Sequence, residues 1–359
     1  MPVFEPPRSK PHTVVSAIIP ARNEEASIAR TVESVAAQAE VDEVIVVDDG
    51  STDATSRILS ELTARVAKLK VIAAGALPDG WVGKNHAAWV GAAESKGDWL
   101  LFTDADTFHL PGAMRRALAD ALEHDAALLS YSPEQEMETW WERALIPFVY
   151  CRLAARFSFE RVNDPTLPDA AANGQFILVR REVYEKLGGH QAVRGEILED
   201  VALARRVKAA RCGVYFTAPA GVVQTRMYRS FGAMWEGWTK NLFPLIGGTA
   251  TAALKELAGI TPVLETLLLA WFVWFGWHTG QVDWAWAVGI AVLMLSFRTA
   301  RYGRVLYENH YPQRFIQYYV PAAGLYTLIL IGSWWKNSRG QVVWKGRGYL
   351  PGLGARSER

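Results

Sequence analysis

Between residues 14 and 124 the chain alternates four short apolar, β-branched runs with four stretches of helical periodicity, a pattern that leaves few folds open. Val14 to Pro20, Val44 to Asp48, Leu69 to Ala73 and Trp99 to Thr103 predict strands. Glu24 to Gln38, Asp53 to Ala67, Asn85 to Ser95 and Pro111 to His124 predict the helices between and after them. Strand followed by helix, repeated in this way, predicts an α/β domain with a mainly parallel sheet covered on both faces. In such sheets ligands bind beyond the carboxyl ends of the strands, so the residues just after each strand are where chemistry is expected.

The rest of the chain must form something else, because 359 residues exceed the roughly 250 to 300 that one core usually serves. Hydrophobic residues at 50% against 21% charged exclude a disordered chain. The charge is balanced, with 38 Lys and Arg against 37 Asp and Glu, and offers no positive excess for gripping nucleic acid. Cys151 and Cys212 are isolated, which excludes a disulfide scaffold and fits a reducing compartment. Met1 to Lys10 is rich in proline and charge, so no secretory signal is expected and the N-terminal unit is placed in the cytosol.

Beyond residue 230 lie ten of the 15 tryptophans. Ile260 to His278, Trp284 to Ser296 with its flanks, and Phe315 to Trp335 are apolar stretches near the roughly 20 residues needed to cross a bilayer, with Trp and Tyr at their ends. They predict a transmembrane region over 260–335, preceded by an interfacial segment, 231–259, and followed by a basic tail, 336–359. The link Thr279 to Asp283 carries no Lys or Arg and fits outside, whereas Arg298, Arg301, Arg304 and Arg314 fit inside. Three crossings would then leave Lys336, Arg339, Lys345 and Arg347 outside, against the positive-inside rule. Either one stretch does not cross, or a fourth crossing lies near Leu242 to Leu257, or the rule is broken. Glu265, within the first stretch, would be costly in lipid.

Three strand ends carry polar motifs. The first delivers Pro20-Ala21-Arg22-Asn23-Glu24, where proline should stop the strand. The second delivers Asp48-Asp49-Gly50-Ser51, able to accept hydrogen bonds from a base or ribose, or equally to form a capped turn. The fourth delivers Asp104-Ala105-Asp106, whose carboxylates in an extended segment face the same way and can meet one hard cation; a solvated acidic turn is the alternative.

In this order and spacing the motifs resemble the family 2 glycosyltransferases, inverting enzymes with a GT-A-type nucleotide-sugar-binding domain. The resemblance covers about residues 13 to 245 and implies a catalytic domain over 13–230 after an N-terminal tail, 1–12. It places Pro20, Ala21, Asn23, Glu24, Asp48, Asp49, Lys84 and Asp104 on the donor, and Mg²⁺ or Mn²⁺ between Asp104, Asp106 and the diphosphate. Lys84 belongs to Gly83-Lys84-Asn85, a turn opening a helix. On the acceptor side it places Asn173, Gly174, Gln175, Glu199, Gln224, Arg226 and Trp238, and at Asp200 the catalytic base. An acidic pair such as Glu199-Asp200 is also favoured by the helix dipole alone.

Processive synthases carry Gln, two variable residues, Arg and Trp where this chain has Gln224-Thr225-Arg226-Met227-Tyr228, and the departure argues against chain extension. The following segment, through Trp238-Thr239-Lys240-Asn241, resembles membrane-bound members that glycosylate hopanoid or carotenoid-type lipids. The implied activity is transfer of one sugar from a nucleotide diphosphate sugar, UDP-linked by expectation, to a lipid or lipid-linked hydroxyl at the cytosolic face of the inner or plasma membrane. A polyprenyl-phosphate acceptor, or a catalytically silent membrane component of an envelope assembly system, is the alternative. Met137 to Phe159, with Trp140, Trp141 and three arginines at helical spacing, predicts a helix lying in the lipid interface or packed on the sheet.

Overall fold

The computed structural model describes residues 14–260, 271, 273–280, 284–344, 347–350 and 354–355, so the N-terminal tail, Glu265, Lys345 and most of the first apolar stretch lie outside the described residues. The chain divides into two compact units, the first comprising 1–136, 157–229 and 340–359 and the second 137–156 and 230–339.

The first unit is built on β1 (Val15–Ala21), α1 (Ile28–Ala36), β2 (Val41–Asp48), α2 (Thr55–Thr63), β3 (Leu69–Ala73), α3 (Gly83–Ala93), β4 (Trp99–Phe102), β5 (Thr107–His109), α4 (Ala113–Glu123), β6 (Leu128–Tyr131) and β7 (Glu134–Gln135). After the chain has visited the second unit as α5 (Trp140–Arg156), it returns as α6 (Phe159–Asn163), β8 (Ile177–Arg180), α7 (Arg181–Lys186), α8 (Glu199–Ala209), β9 (Val214–Thr217) and β10 (Val223–Thr225). Seven strands form one sheet in the order β3-β2-β1-β4-β8-β6-β9. Six run parallel, and β8 lies antiparallel between β4 and β6. A small second sheet pairs β10 with β5 and β7.

The alternation of side chains along β1 explains both covers. Ala17 and Ile19 join the core formed with α1, α2 and α4, while Ile18 joins Leu100, Phe102, Ala88 of α3 and Leu203 of α8 on the opposite face. Burial on both sides is what a continuous apolar strand requires. Pro20 does not stop β1, contrary to the sequence expectation, and pairs in register with Val47 of β2. Pairing of β1 with β4 ends at Ile18 opposite Phe102, so proline sits where the β4 side no longer asks for an N–H.

In the second unit, α5 opens with Thr139 and Glu142 in a reciprocal cap, Glu142 accepting from the Thr139 amide at 2.7 Å. Phe148 of α5 packs edge-on against Tyr326, whose hydroxyl donates to Glu256 at 2.9 Å, and Arg152 pairs with the same carboxylate. The helix thus packs among its own unit's helices. Helices α9 (Phe231–Leu245) and α10 (Ala250–Ile260) precede a helix over Trp284–Glu308 and one over Tyr319–Ser338. Phe243 of α9 stacks on Trp334, and Ser333 accepts the Phe243 amide. Among the described residues one stretch, Gln313–Ser338, is long and apolar enough to cross a membrane.

Candidate functional site

The loops after β1 and β2 are tied into one structure. Arg22 donates to the Asp49 and Gly50 carbonyls at 2.5 and 3.2 Å, Asn23 accepts the Thr52 amide at 2.8 Å, and the Glu24 amide donates to Thr55 Oγ1 at 2.7 Å. Asn23 and Gly50 both take positive φ, at 54° and 70°, conformations suited to asparagine and glycine. Asp48 accepts from the Ser51 amide at 2.9 Å and the Ser56 hydroxyl at 2.5 Å, so its carboxylate shapes this loop, and Asp49 is buried. Pro20 and Ala21 are the last residues of β1.

Lys84, in the first turn of α3, reaches across the ends of the strands. Its ammonium lies 2.7 Å from Asp104 Oδ1 and 2.8 Å from Glu199 Oε1. Asp200, next to Glu199 at the start of α8, accepts the Val201 amide at 2.7 Å and the Gly174 amide at 2.9 Å. A Cβ on Gly174 would stand 2.8 Å from Lys84 Nζ, 3.2 Å from Glu199 and 3.5 Å from Asp200, so a side chain there would displace the Lys84 ammonium where the three charged groups close in. Asp104, Lys84, Gly174, Glu199 and Asp200, spread over more than a hundred residues of sequence, therefore meet at one place in the first unit.

The charges are interdependent. Burial works against the Lys84 ammonium, but the Asp104 and Glu199 carboxylates more than offset it and hold its pKa well above the usual lysine value. Withdrawal from water, followed by the neighbouring Glu199 charge, raises Asp200 to about 6, with Lys84 and two backbone amides pulling the other way. A carboxyl poised there can hold or release a proton near neutral pH.

The remaining residues singled out by sequence are placed more diversely. Asn173 caps its own turn, accepting the Gln175 amide at 3.0 Å. Gln175 is buried, and its side-chain amide donates to Thr225 Oγ1 at 3.3 Å. Gln224 bonds Glu134 at 3.2 Å, and Arg226 contributes to the positive surroundings of Glu136. Trp238 is buried in α9 of the second unit, edge-on to Tyr150. Asn85 anchors the loop before α8, donating to the carbonyls of Val193, Arg194 and Glu196.

Asp104 and Asp106 share the turn after β4. Among the described residues no three His, Cys, Asp or Glu side chains form a metal-binding cluster. The donor set nevertheless suits a hard cation: two carboxylates one residue apart, the first already turned toward a positive charge, Lys84, with the remaining coordination positions left to phosphate and water.

The sheet order, with one antiparallel strand inserted and acidic residues at the strand ends, is a GT-A fold, the architecture of nucleotide-sugar-dependent glycosyltransferases. A mannosyltransferase from Pyrobaculum calidifontis, solved in complex with GDP-Man and Mn²⁺, superposes with a TM-score of 0.53 at 18% identity over 90% of this chain and 86% of that one. The chain matches, over residues 16–188, the model for glycosyl transferase family 2. It is 29% identical over 350 residues to the 4,4'-diaponeurosporenoate glycosyltransferase of Staphylococcus aureus strain USA300, covering 94% of this chain and 88% of the relative. The same enzyme of strain MRSA252 is 28% identical over 348 residues, with the same coverage.

Proposed function

We propose that this glycosyltransferase is an inverting, metal-dependent enzyme that moves one sugar from a nucleotide diphosphate sugar, UDP-linked, to a hydroxyl of a lipid of carotenoid or hopanoid type. The observation that carries this reading is the convergence of Asp104, Lys84, Glu199 and Asp200. Asp200 is the base: it takes the proton of the acceptor hydroxyl as that oxygen forms its bond to the anomeric carbon, from the face opposite the departing diphosphate. The bond between the anomeric carbon and the diphosphate oxygen breaks in the same displacement, releasing the nucleotide diphosphate. Asp104 and Asp106 would hold Mg²⁺ or Mn²⁺, which neutralises charge developing on the leaving group. Lys84, a second cation at the same place, releases Asp104 to the donor and turns toward its phosphates. The backbone of the Asn23 and Asp49 loops lines the nucleotide end of the site.

The lipid acceptor is supported by the likeness to the staphylococcal enzyme over nearly the whole chain. It is supported also by the apolar surface of the second unit, where Trp274, Trp277, Trp286, Leu293, Phe297 and Trp335 are each more than half exposed. Aromatic and aliphatic side chains in water at this density call for lipid. We assign residues 13–230 to catalysis and 260–335 to a multi-pass anchor that holds the catalytic domain at the cytoplasmic face. Incubating the purified protein with UDP-glucose, UDP-galactose, UDP-N-acetylglucosamine and GDP-mannose in host lipid extract should yield a lipid heavier by one sugar residue. A lipid profile unchanged with every donor would remove the proposal.

A further inference from the structure

We propose that a buried frame of hydroxyls, Thr31, Thr107 and Thr225 with Gln175 behind them, presets the Asp104-Ala105-Asp106 turn and makes these four positioning residues of cation and donor binding. The inference rests on the reading that this turn holds the diphosphate cation.

Three successive carbonyls of the turn are each met by a threonine from a different element. Thr107 of β5 donates to the Asp104 carbonyl at 2.9 Å, Thr31 of α1 lies 2.8 Å from the Ala105 carbonyl, and Thr225 of β10 donates to the Asp106 carbonyl at 3.2 Å. Behind them the Gln175 side-chain amide donates to Thr225 at 3.3 Å, and Thr103 Oγ1 donates to the Gln175 carbonyl at 2.8 Å. Thr31, Thr103, Thr107, Thr225 and Gln175 are all buried.

The same hydroxyls also meet one another and an imidazole: Thr103 Oγ1 lies 2.9 Å from Thr107 Oγ1 and 3.0 Å from His109 Nε2. Burial lowers His109 to about 3, and the imidazole stays neutral. The frame therefore brings no charge beneath the two carboxylates.

Valine would fill each threonine's volume without burying a hydroxyl, and a buried hydroxyl is tolerated only where it is bonded. Here three hydroxyls from three elements reach the carbonyls of one tripeptide, Thr31 lying 2.8 Å from the Thr107 carbonyl as well. Fixing three consecutive carbonyls fixes the peptide planes, and with them the directions in which the Asp104 and Asp106 side chains leave the chain, as partners behind a metal ligand do. Gln175, which the sequence resemblance places on the acceptor side, works beneath the donor's cation.

The test is Mn²⁺ binding, followed by electron paramagnetic resonance on the full-length protein with UDP, and in parallel with GDP, together with the thermal midpoint of each variant. Thr225→Val should raise the Mn²⁺ dissociation constant roughly tenfold, the order of effect for partners behind a metal ligand, and Thr225→Ser should restore it. Should Thr225→Val not fold, Thr31→Val against Thr31→Ser carries the same expectation from α1. Asp104→Ala distinguishes the two levels. If it abolishes Mn²⁺ binding while both valine variants bind Mn²⁺ as the parent does and only melt earlier, the frame is merely structural and the inference falls alone. If Asp104→Ala binds Mn²⁺ unchanged, the reading of the turn falls and takes the inference with it.

Discussion

Glu199 and Asp200 are neighbours in sequence with opposite duties. Glu199 spends its carboxylate on Lys84 at 2.8 Å, while Asp200 is left with backbone amides and a pKa lifted to about 6 from an ordinary 3.8. Because the folded state keeps this proton after the unfolded chain has lost it, the group's contribution to stability is fullest below about pH 4 and is lost as pH rises through about 6. Turnover runs the other way, since a base must be ionised: the rate should climb with an apparent pKa near 6 and level off above it. A rate profile flat from pH 5 to 8 would deny Asp200 that task. The residue motifs Asp48-Asp49, Asp104-Ala105-Asp106 and Glu199-Asp200 were legible in the sequence, although a capped turn, a solvated acidic turn and the helix dipole each account for one of them locally. The Lys84 to Glu199 ion pair was not, since more than a hundred residues separate its partners and no local pattern encodes it. Nor was the threonine frame, although Thr103, Thr107 and His109 repeat at even spacing in a segment otherwise apolar or acidic, a trace of one buried polar face.

At the level of elements, the strands were read more closely than the helices. The third strand matches Leu69–Ala73, and the fourth, Trp99–Phe102, ends one residue short of its expectation. The first helix begins at Ile28 rather than Glu24, because the Glu24 and Glu25 amides are drawn to Thr55 and Asp53 beyond β2, a tertiary demand invisible in local periodicity. The antiparallel β8 was also hidden, for a four-residue apolar strand reads alike in either direction. Gly97, which leads into β4, bonds the Ser16 hydroxyl through its amide at 2.7 Å, and a Cβ there would stand 2.6 Å from the Ser16 backbone nitrogen. Gly97→Ala should therefore force β1 and β4 apart at their start and cost about 1–3 kcal/mol, read as a lowered midpoint in urea unfolding. An unchanged midpoint would mean that the junction yields more easily than its contacts indicate.

On the scale of the whole molecule, the sequence placed the end of the catalytic segment at residue 230, where composition changes, with all of 13–230 on one side of that boundary. The structure assigns 137–156 to the second unit as well, since α5 finds its partners, Tyr326 and Glu256, nearly two hundred and one hundred residues onward. An exposed apolar surface of the kind the second unit carries should keep the protein with the membrane pellet after high salt and alkaline carbonate; release by carbonate would refute an integral anchor. The division of labour between the two acidic sites is the centre of the account, and paired substitutions test it most directly, with UDP binding and sugar transfer to lipid measured on each. Asp200→Asn should lose transfer by roughly 10²- to 10⁴-fold, the usual worth of a positioned base, and bind Mn²⁺ and UDP as the parent does, whereas Asp104→Ala should lose that binding itself. Transfer at the parental rate in Asp200→Asn, or undiminished Mn²⁺-dependent UDP binding in Asp104→Ala, would contradict it.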